Sequence, residues 1–325
     1  MKIIITGGAG FIGSHLAEFL LKKKHDIVII DNLSTGRIEN INKFKKKIKF
    51  VKADISKKGN WIKNFEEAKI VFHLAALADI VPSIQKPAKY FDANVLGTQN
   101  IMLASLKYKI KKVIYSASSS CYGIPKIYPT DEKADINLQY PYAMTKRLGE
   151  EILIHYGKVY NINTISLRLF NVYGTKSRTS GTYGAMFGVF LAQKLKKKPL
   201  TIVGNGNQKR DFTYVTDVVS AFYKCINYNG KSDIFNIGTG KPISINRIVN
   251  ILGSNKTYIP KRPGEPDQTN ANNKKAIKEL KWRPVISIEK GISLLLKNIN
   301  YWKNAPVWTP KKIKIATVDW FRYLK

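Results

Sequence analysis

The side chains best suited to chemistry in this sequence are Tyr142 and Lys146, which stand four positions apart. Four positions along a helix place two side chains on one face, so the phenol and the ammonium would share a pocket. A nearby cation lowers the pKa of a phenol, and we expect this effect to make Tyr142 usable as a base near neutral pH. Such pairs also arise by chance in a chain with 17 tyrosines, so this one needs support from a third group.

A cluster of hydroxyl groups supplies that support. The segment Ser116–Gly123 follows the predicted strand Lys112–Ser116. A parallel sheet presents its active site where its strands end. A serine hydroxyl at this place can hydrogen-bond the same substrate oxygen as Tyr142, so the three features together predict an acid/base site.

A second constellation lies near the N-terminus, where Gly7, Gly10 and Gly13 are spaced three apart. Small residues allow the backbone to approach a pyrophosphate, and the N-terminus of the following helix offers free N–H groups. Asp31 lies at the end of the next predicted strand, where a carboxylate can bind both hydroxyls of an adenosine ribose and repels a 2′-phosphate. The segment therefore predicts a dinucleotide site that takes NAD rather than NADP.

The elements that must position these groups follow from hydrophobic periodicity. Helical spacing is present over His15–Lys23 and again near residues 87–109. Short apolar runs predict six strands, at Lys2–Thr6, Asp26–Ile30, Lys49–Lys52, Ile70–Leu74, Lys112–Ser116 and Asn163–Leu169. Apolar strands separated by helices indicate an α/β protein whose doubly wound parallel sheet is covered on both faces.

The pattern loosens after about residue 171, where glycine and proline interrupt it. We therefore predict an NAD-binding Rossmann domain over residues 1–170. Residues 171–325 are predicted to form a smaller, mixed α/β lobe that mainly binds substrate, with the chain passing between the two units.

Composition excludes several classes of protein. The formal net charge is +33, from 55 basic and 22 acidic residues, but the lysines form short scattered runs. A solvated surface explains that pattern, and the sequence has no nucleic-acid-binding motif, although an anionic partner is the alternative.

The two cysteines are too few for a disulfide framework, and no spacing of Cys and His suggests a zinc site. This cysteine usage fits a reducing compartment and therefore favours the cytoplasm. No apolar run approaches the roughly 20 residues of a membrane span, and Met1–Gly7 lacks the apolar centre of a signal peptide.

At this point the sequence resembles the extended short-chain dehydrogenase/reductase family, and within it the nucleotide-sugar 4-epimerases. The resemblance covers essentially the whole chain. Its markers are Thr6–Gly13, Phe72–Ala76, Ser116–Gly123, Tyr142 with Lys146, Arg168–Gly174, Gln208–Phe212 and Arg262–Glu265.

The resemblance implies NAD as the cofactor. The residues implied to bind it are Gly7, Gly10, Phe11, Ile12, Gly13, Asp31, Asn32, Asp54, Ile55, Leu74, Ala75, Ala76, Asn94, Ser116, Tyr142, Lys146 and Phe170.

The resemblance also implies a catalytic set of Ser118, Tyr142 and Lys146. Tyr142 would take the proton of the sugar 4-hydroxyl while the C4 hydride passes to NAD, and Lys146 would hold the nicotinamide ribose and tune Tyr142. The bound 4-ketose would then turn its other face and receive the hydride from that side. The implied reaction is the inversion of C4 in a UDP-hexose.

The substrate implied by the resemblance is a UDP-sugar. Arg210 and Arg262 would hold its two phosphates, although surface ion pairs are the alternative for both. The full set of residues implied to bind substrate is Ser118, Ser119, Tyr142, Asn171, Ala185, Met186, Val203, Arg210, Arg262, Glu265 and Thr269. Family similarity further implies a homodimer, formed by the helices near residues 90–109 and 143–158.

Departures from the pattern bear on the reaction and the sugar. Ser119 and Ser120 stand where the dehydratases of the family carry Asp-Glu. Ser120 also stands where the decarboxylases carry Glu. Cys121 lies one residue beyond the catalytic cysteine of another relative, so we interpret it as a packing residue. Thr269 replaces the bulky tyrosine of glucose-restricted epimerases and leaves room for an N-acetyl group. Both UDP-glucose/UDP-galactose and UDP-GlcNAc/UDP-GalNAc therefore remain open.

Other departures keep alternatives open. Ala78 and Asn272 replace a basic residue and an aspartate, and the basic, hydroxyl-rich segment 178–184 could contact a uronic acid. A uronate or pentose epimerase, a decarboxylase, a dehydratase or a reductase is therefore the alternative enzyme. A non-catalytic NAD-binding or polyanion-binding protein is the alternative outside enzymes.

Two features stay ambiguous at this stage. His73, at the end of a predicted strand, is either a core residue or part of the site. Tryptophans near the C-terminus, among them Trp302 and Trp320, either stack on a ligand or pin the C-terminal segment to the core.

Overall fold

The computed structural model describes residues 1–177 and 185–324. Its strands are β1 (Lys2–Thr6), β2 (Asp26–Asp31), β3 (Lys49–Lys52), β4 (Ile70–His73), β5 (Lys112–Ser118), β6 (Asn163–Leu169), β7 (Asn171–Tyr173), β8 (Leu200–Val203), β9 (Lys209–Arg210), β10 (Phe212–Tyr214), β11 (Asp233–Ile237), β12 (Ile243–Ser244) and β13 (Lys256–Ile259).

The α-helices are connected by loops and short 3₁₀ turns. They are α1 (Phe11–Lys22), α2 (Ile80–Gln85), α3 (Pro87–Phe91), α4 (Gly97–Lys107), α5 (Pro141–Tyr160), α6 (Met186–Leu195), α7 (Val215–Lys224), α8 (Ile245–Leu252), α9 (Lys274–Glu279), α10 (Ile288–Lys297), α11 (Pro310–Ala316) and α12 (Val318–Tyr323).

Seven strands form one sheet in the order β3-β2-β1-β4-β5-β6-β11, and every pair in it is parallel. The chain order reverses between β1 and β4. In a doubly wound sheet a crevice opens at that reversal, beyond the carboxyl ends of the strands. The predicted Rossmann fold is confirmed, and its crevice lies where both predicted sites converge.

The aliphatic runs explain why the sheet is buried on both faces. Ile3 and Ile5 pack into a core cluster on one face, whereas Ile4 packs into a second cluster on the other. Consecutive side chains of a strand point to opposite faces, so a continuous apolar run requires cover on both sides.

Two elements differ from the expectations. The helix expected near residues 87–109 is interrupted by a π-helical segment, Asp92–Leu96, between α3 and α4. The seventh strand, β11, was not predicted, because Asn236 interrupts its apolar pattern. Asn236 is fully buried and is satisfied by the Tyr122 hydroxyl and the Thr130 carbonyl.

The chain leaves the main sheet after β6 and returns to it at β11. Three two-stranded sheets, β7 with β10, β8 with β13 and β9 with β12, lie in the later part of the chain. A separate apolar cluster with Phe190, Ile248 and Trp302 packs there. The domain boundary at residue 170 stays a prediction.

Candidate active site

Helix α5 carries the predicted acid/base pair. Pro141 occupies its first turn, where the missing N–H costs no hydrogen bond. Tyr142, Lys146 and Glu150 follow at four-residue intervals and so lie along one face. Gly149 allows the helix to approach the sheet, because a Cβ there would lie 2.6 Å from the Tyr115 hydroxyl oxygen.

The serine cluster meets this helix at the end of β5. The Ser118 hydroxyl oxygen accepts hydrogen bonds from the Ser120 backbone N–H at 3.2 Å and from the Ser120 hydroxyl at 2.8 Å. The side chains of Ser118 and Tyr142 line the same cavity. Because Ser118 acts only as an acceptor in the two bonds from Ser120, its own proton stays available for an acceptor in the cavity.

Burial opposes the fall in the pKa of Tyr142 that a nearby cation and a charged nicotinamide were together expected to cause. Burial raises the pKa of the Tyr142 phenol, and the hydrogen bond from Ser118 opposes the rise. Burial also lowers the pKa of Lys146 to about 7, with Glu150 opposing that change. Desolvation of the phenol outweighs the effect that lowers its pKa, so the pKa of Tyr142 lies above the ordinary value.

Lys146 is 4% exposed, and its ammonium lies 4.1 Å from the centroid of the Tyr115 ring. Sequence reasoning missed Tyr115. An aromatic residue on a central strand gives no sign of the cation–π contact that fixes Lys146.

Glu150 anchors the other end of the same helix face. Its carboxylate accepts hydrogen bonds from the Ser166 hydroxyl at 2.6 Å, from Arg168 at 2.7 Å and from Arg147 at 2.6 Å. Arg168 also donates to the Tyr122 hydroxyl at 2.8 Å. This network ties α5 to β6 and to the serine segment.

The glycine turn forms the cofactor end of the crevice. A Cβ on Gly7 would lie 2.6 Å from the Ala75 nitrogen, and a Cβ on Gly13 would lie 2.3 Å from the Gly7 carbonyl oxygen. By contrast, the one neighbour of a Cβ on Gly10 would be the Gly7 oxygen at 3.0 Å. Gly7 and Gly13 therefore pack tightly against the protein backbone, whereas Gly10 has open space beside it at the cavity. A pyrophosphate-binding turn requires this close packing on one side and an open backbone on the other.

Asp31 stands beside that turn. Its carboxylate accepts hydrogen bonds from the backbone N–H groups of Ala9 at 2.9 Å and Leu33 at 2.8 Å. Burial raises the pKa of Asp31, and these two bonds oppose the rise. A carboxylate offers about four acceptor sites, so acceptor capacity remains for ribose hydroxyls. The residues present fit NAD.

A single cavity of about 670 Å³ joins the two ends of the site. All the residues predicted to bind cofactor or substrate line it, with the exception of Asn94. Their individual contacts stay predictions.

Asn94 lies behind the cavity wall and is 1% exposed. Its amide bonds the backbone of Leu77 in both directions, at 2.8 and 3.0 Å, and donates to the Thr145 hydroxyl at 3.0 Å. These bonds attach Asn94 to the loop after β4, and its predicted role at the cofactor stays a prediction.

The substrate end of the cavity is charged. Glu265 lies between two arginines, 3.9 Å from Arg210 and 3.4 Å from Arg262. Thr269 donates a hydrogen bond to the Asn171 side-chain oxygen at 2.8 Å. The segment 178–184, for which a contact with a uronic acid, a contact with phosphate and a solvated loop were the alternatives, lies outside the described residues.

Further residues that were not assigned to the site also line the cavity, and Arg37, Tyr140 and Trp320 are among them. Arg37 lies six residues after Asp31, a spacing that could have placed it at the adenosine end. Tyr140 and Trp320 come together only through tertiary contact, with ring centroids 6.3 Å apart.

His73, whose role was ambiguous, and Cys121, which was interpreted as a packing residue, are both core residues here. His73 is fully buried between the hydroxyls of Thr6 and Thr98, and burial lowers its pKa to about 3. Cys121 is 3% exposed, and burial raises the pKa of its thiol to about 12. Neither lines the cavity.

Within residues 1–177 and 185–324, no helix is long and apolar enough to cross a membrane. The same residues contain no group of three or more His, Cys, Asp or Glu side chains placed to hold a metal ion.

A doubly wound sheet, a glycine turn and a Ser–Tyr–Lys set in one crevice define a protein of the short-chain dehydrogenase/reductase class. Comparison with known proteins narrows this class. The sequence profile of the NAD dependent epimerase/dehydratase family matches residues 3–238. The chain therefore belongs to that family.

Individual relatives agree with this assignment. A Methanocaldococcus jannaschii protein, itself only provisionally named a UDP-glucose 4-epimerase, is 39% identical over 93% of this chain and 98% of its own. The crystal structure of the Thermotoga maritima UDP-glucose 4-epimerase with UDP-glucose has a TM-score of 0.87 and 31% identity, covering 94% of this chain and 99% of that one.

The UDP-glucuronic acid 4-epimerase of Bacillus cereus, crystallised with UDP-glucuronic acid and NAD, is similar to the same extent. Its TM-score is 0.85 and its identity 32%, over 94% of this chain and 99% of that one. The family confirms the predicted enzyme class, an NAD-dependent sugar-nucleotide epimerase, and confirms NAD as the cofactor.

Proposed function

We propose that this enzyme inverts C4 of a UDP-hexose, with Tyr142 as the group that removes and returns the proton of the 4-hydroxyl. The observation that carries the proposal is that Ser118, Tyr142 and Lys146 line one cavity together with the glycine turn, with Tyr142 and Lys146 one helical turn apart on α5. This arrangement brings an acid/base group to the place where a bound sugar would meet the cofactor.

Each residue of the set has a distinct task. Tyr142 accepts the proton of the 4-hydroxyl as C4 is oxidised, and Ser118 donates a hydrogen bond to the same oxygen. Lys146, held over the Tyr115 ring, binds the nicotinamide ribose and adds positive charge when it is protonated. NAD, when bound, supplies the hydride acceptor and the positive charge of its nicotinamide ring, which favours the phenolate.

The residues at the substrate end suit a diphosphate. Guanidinium groups bind phosphate through paired hydrogen bonds, and Arg210 and Arg262 both face the cavity. Glu265 balances their charge until a substrate diphosphate replaces it as their partner.

The small side chain of Thr269 supports a cavity with room beside the sugar. Its hydroxyl is anchored to Asn171 and accepts a bond from the Asp211 backbone N–H at 3.0 Å, which keeps it at the wall. We therefore propose that the enzyme accepts UDP-GlcNAc as well as UDP-glucose.

The second candidate is epimerisation of a UDP-uronate, favoured by the similarity to the Bacillus cereus enzyme that binds UDP-glucuronic acid. Decarboxylation and dehydration are less favoured because Ser119 and Ser120 provide no carboxyl group next to Ser118.

We also propose a homodimer in the cytoplasm. Leu96, Leu103 and Met144 are 37, 47 and 41% exposed, on or beside α4 and α5, which pack against each other. A second copy would cover these apolar side chains. Both cysteines are buried free thiols, in keeping with a reducing compartment.

Replacement of Tyr142 by phenylalanine tests the proposal. Loss of a positioned acid/base group lowers kcat about 10²–10⁴-fold, and we expect bound NAD and the affinity for UDP to stay near wild type. Tyr156→Phe is the matched control, because Tyr156 lies on the same helix and accepts a hydrogen bond from Gln99 rather than lining the cavity. Equal activities of the two variants would overturn the role of Tyr142.

A further inference from the structure

The C-terminal helix α12 forms part of the wall at the substrate end of the cavity. It packs against α2, whose residues Ile80 and Val81 line the same cavity. The Gln85 amide donates a hydrogen bond to the Asp319 carboxylate at 2.9 Å. Trp320 is 2% exposed and lines the cavity itself. This residue therefore does more than attach the end of the chain to the core.

Trp320 contacts the arginine loop at two points. The centre of the Arg262 guanidinium lies 5.1 Å from the indole centroid, which is a cation–π distance. The indole N–H donates a hydrogen bond to the Pro263 carbonyl at 2.8 Å. One side chain thus holds both the arginine and the backbone that follows it.

The same indole also reaches toward the catalytic tyrosine. The ring of Tyr140 lies 6.3 Å from that of Trp320, and the rings of Tyr140 and Tyr142 stack 6.4 Å apart and nearly parallel. A continuous row of rings therefore connects the loop of Arg262 to the acid/base group.

Arg262 needs a support that is independent of its ionic partner. Its partner in this structure is Glu265, which also lies near Arg210. A diphosphate would compete with Glu265 for both guanidinium groups. An arginine stacked on an aromatic face can exchange one anion for another without losing its place, because the stacking uses the face of the guanidinium and the anions use its edge.

We propose that Trp320 is a positioning residue for substrate, which holds Arg262 ready for the diphosphate of the sugar nucleotide. The proposal rests on the proposed function, because it takes Arg262 as a diphosphate-binding group. Helix α12 would thus contribute to substrate affinity, a role that no motif of the sequence predicts.

The test measures UDP binding by calorimetry and sugar-nucleotide turnover in Trp320→Ala and Trp320→Phe, with NAD content as a check on the cofactor end. Trp320→Ala is expected to raise the Kd for UDP and the KM about tenfold. We expect kcat to change less than twofold, since Tyr142 stays in place. Trp320→Phe keeps a ring under Arg262 and is expected to restore most of the affinity.

Trp302→Phe is the matched control, because Trp302 is equally buried in the C-terminal region but does not line the cavity. It is expected to bind UDP as the wild type does. Trp320→Ala added to Arg262→Ala is expected to weaken binding no further, since residues that act through one another are non-additive.

Wild-type UDP affinity in Trp320→Ala, alongside weakened binding in Arg262→Ala, would overturn this proposal and leave the proposed function intact. Should Trp320→Ala fail to fold, Trp320→Leu takes its place, because leucine fills part of the space but removes the aromatic face under Arg262. Wild-type UDP affinity in Trp320→Leu would then overturn the proposal. If Arg262→Ala binds UDP normally, the diphosphate assignment itself fails, and this proposal fails with it.

Discussion

Replacement of the buried Glu150 is expected to lower the free energy of unfolding more than replacement of its exposed neighbour. Glu150 and Arg168 are both 2% exposed and lie 2.7 Å apart. Glu150→Gln keeps the shape of the side chain but leaves Arg168 without its counter-charge. Breaking a buried ion pair by removing one partner costs about 3–5 kcal/mol, because an unpaired charge then stays in the core.

Glu151→Gln provides the matched control on the next residue. Glu151 pairs with Arg147 at 2.7 Å, the same separation, but its side chain is 56% exposed. Exposed pairs contribute about 0–1 kcal/mol, so this variant should unfold almost as the wild type does. Burial, rather than distance, is the variable that differs between the two pairs.

The assay is urea-induced unfolding followed by tryptophan fluorescence and circular dichroism, with free energies taken from the midpoint and slope. A second readout is the pH dependence of kcat. Because Glu150 raises the pKa of Lys146, its loss should move the alkaline fall in activity to lower pH. Equal stabilities of the two variants, or a shift of the alkaline limb in Glu151→Gln instead, would refute the reasoning.

Three further predictions concern other parts of the site. Thr269→Tyr should abolish turnover of UDP-GlcNAc while retaining that of UDP-glucose, which competitive assays with both sugars measure. Thr269→Ser is the control. An unchanged sugar preference in Thr269→Tyr would contradict the role of Thr269 in the cavity wall. Gly13→Ala should release bound NAD, because its Cβ would lie 2.3 Å from the Gly7 carbonyl oxygen; the absorbance of the purified protein at the nucleotide band measures this, and full occupancy would contradict it. His73 should destabilise the protein as the pH falls from 6.5 to about 3, because its pKa is 6.5 when unfolded and about 3 when folded. The unfolded state binds more protons in that interval, which costs about 1.4 kcal/mol per pH unit. Unfolding midpoints at pH 7, 6, 5 and 4 should show this slope reduced in His73→Gln, and parallel curves would refute the assignment.

Local pattern predicted much of the sheet. β1, β3 and β6 have the expected bounds. In β1 three consecutive isoleucines define the strand, whereas in β6 polar and apolar residues alternate. β11 escaped because the buried Asn236 finds its partners, Tyr122 and Thr130, more than 100 residues away in sequence. Satisfaction of a buried polar group by distant residues is invisible in a local window.

The chemistry of the site divides in the same way. The four-residue spacing of Tyr142 and Lys146 and the position of Ser118 after a predicted strand led us to expect all three in one site. In the structure they line one cavity. The direction of the Tyr142 pKa could not be predicted from spacing, because it depends on how deeply the fold buries both the phenol and Lys146. Trp320 could not be assigned either, since it meets Arg262 only after the chain has folded back from the C-terminus.

The most direct test of the central claim is a proton NMR time course of the purified enzyme with UDP-glucose and UDP-GlcNAc in one tube, in D₂O and with no NAD added. We expect the anomeric signals of UDP-galactose, UDP-GalNAc or both to grow. The products should retain hydrogen at C4, because the hydride never exchanges with water. Unchanged spectra, even after NAD is added, would contradict epimerisation of a UDP-hexose, and deuterium at C4 would contradict the redox route.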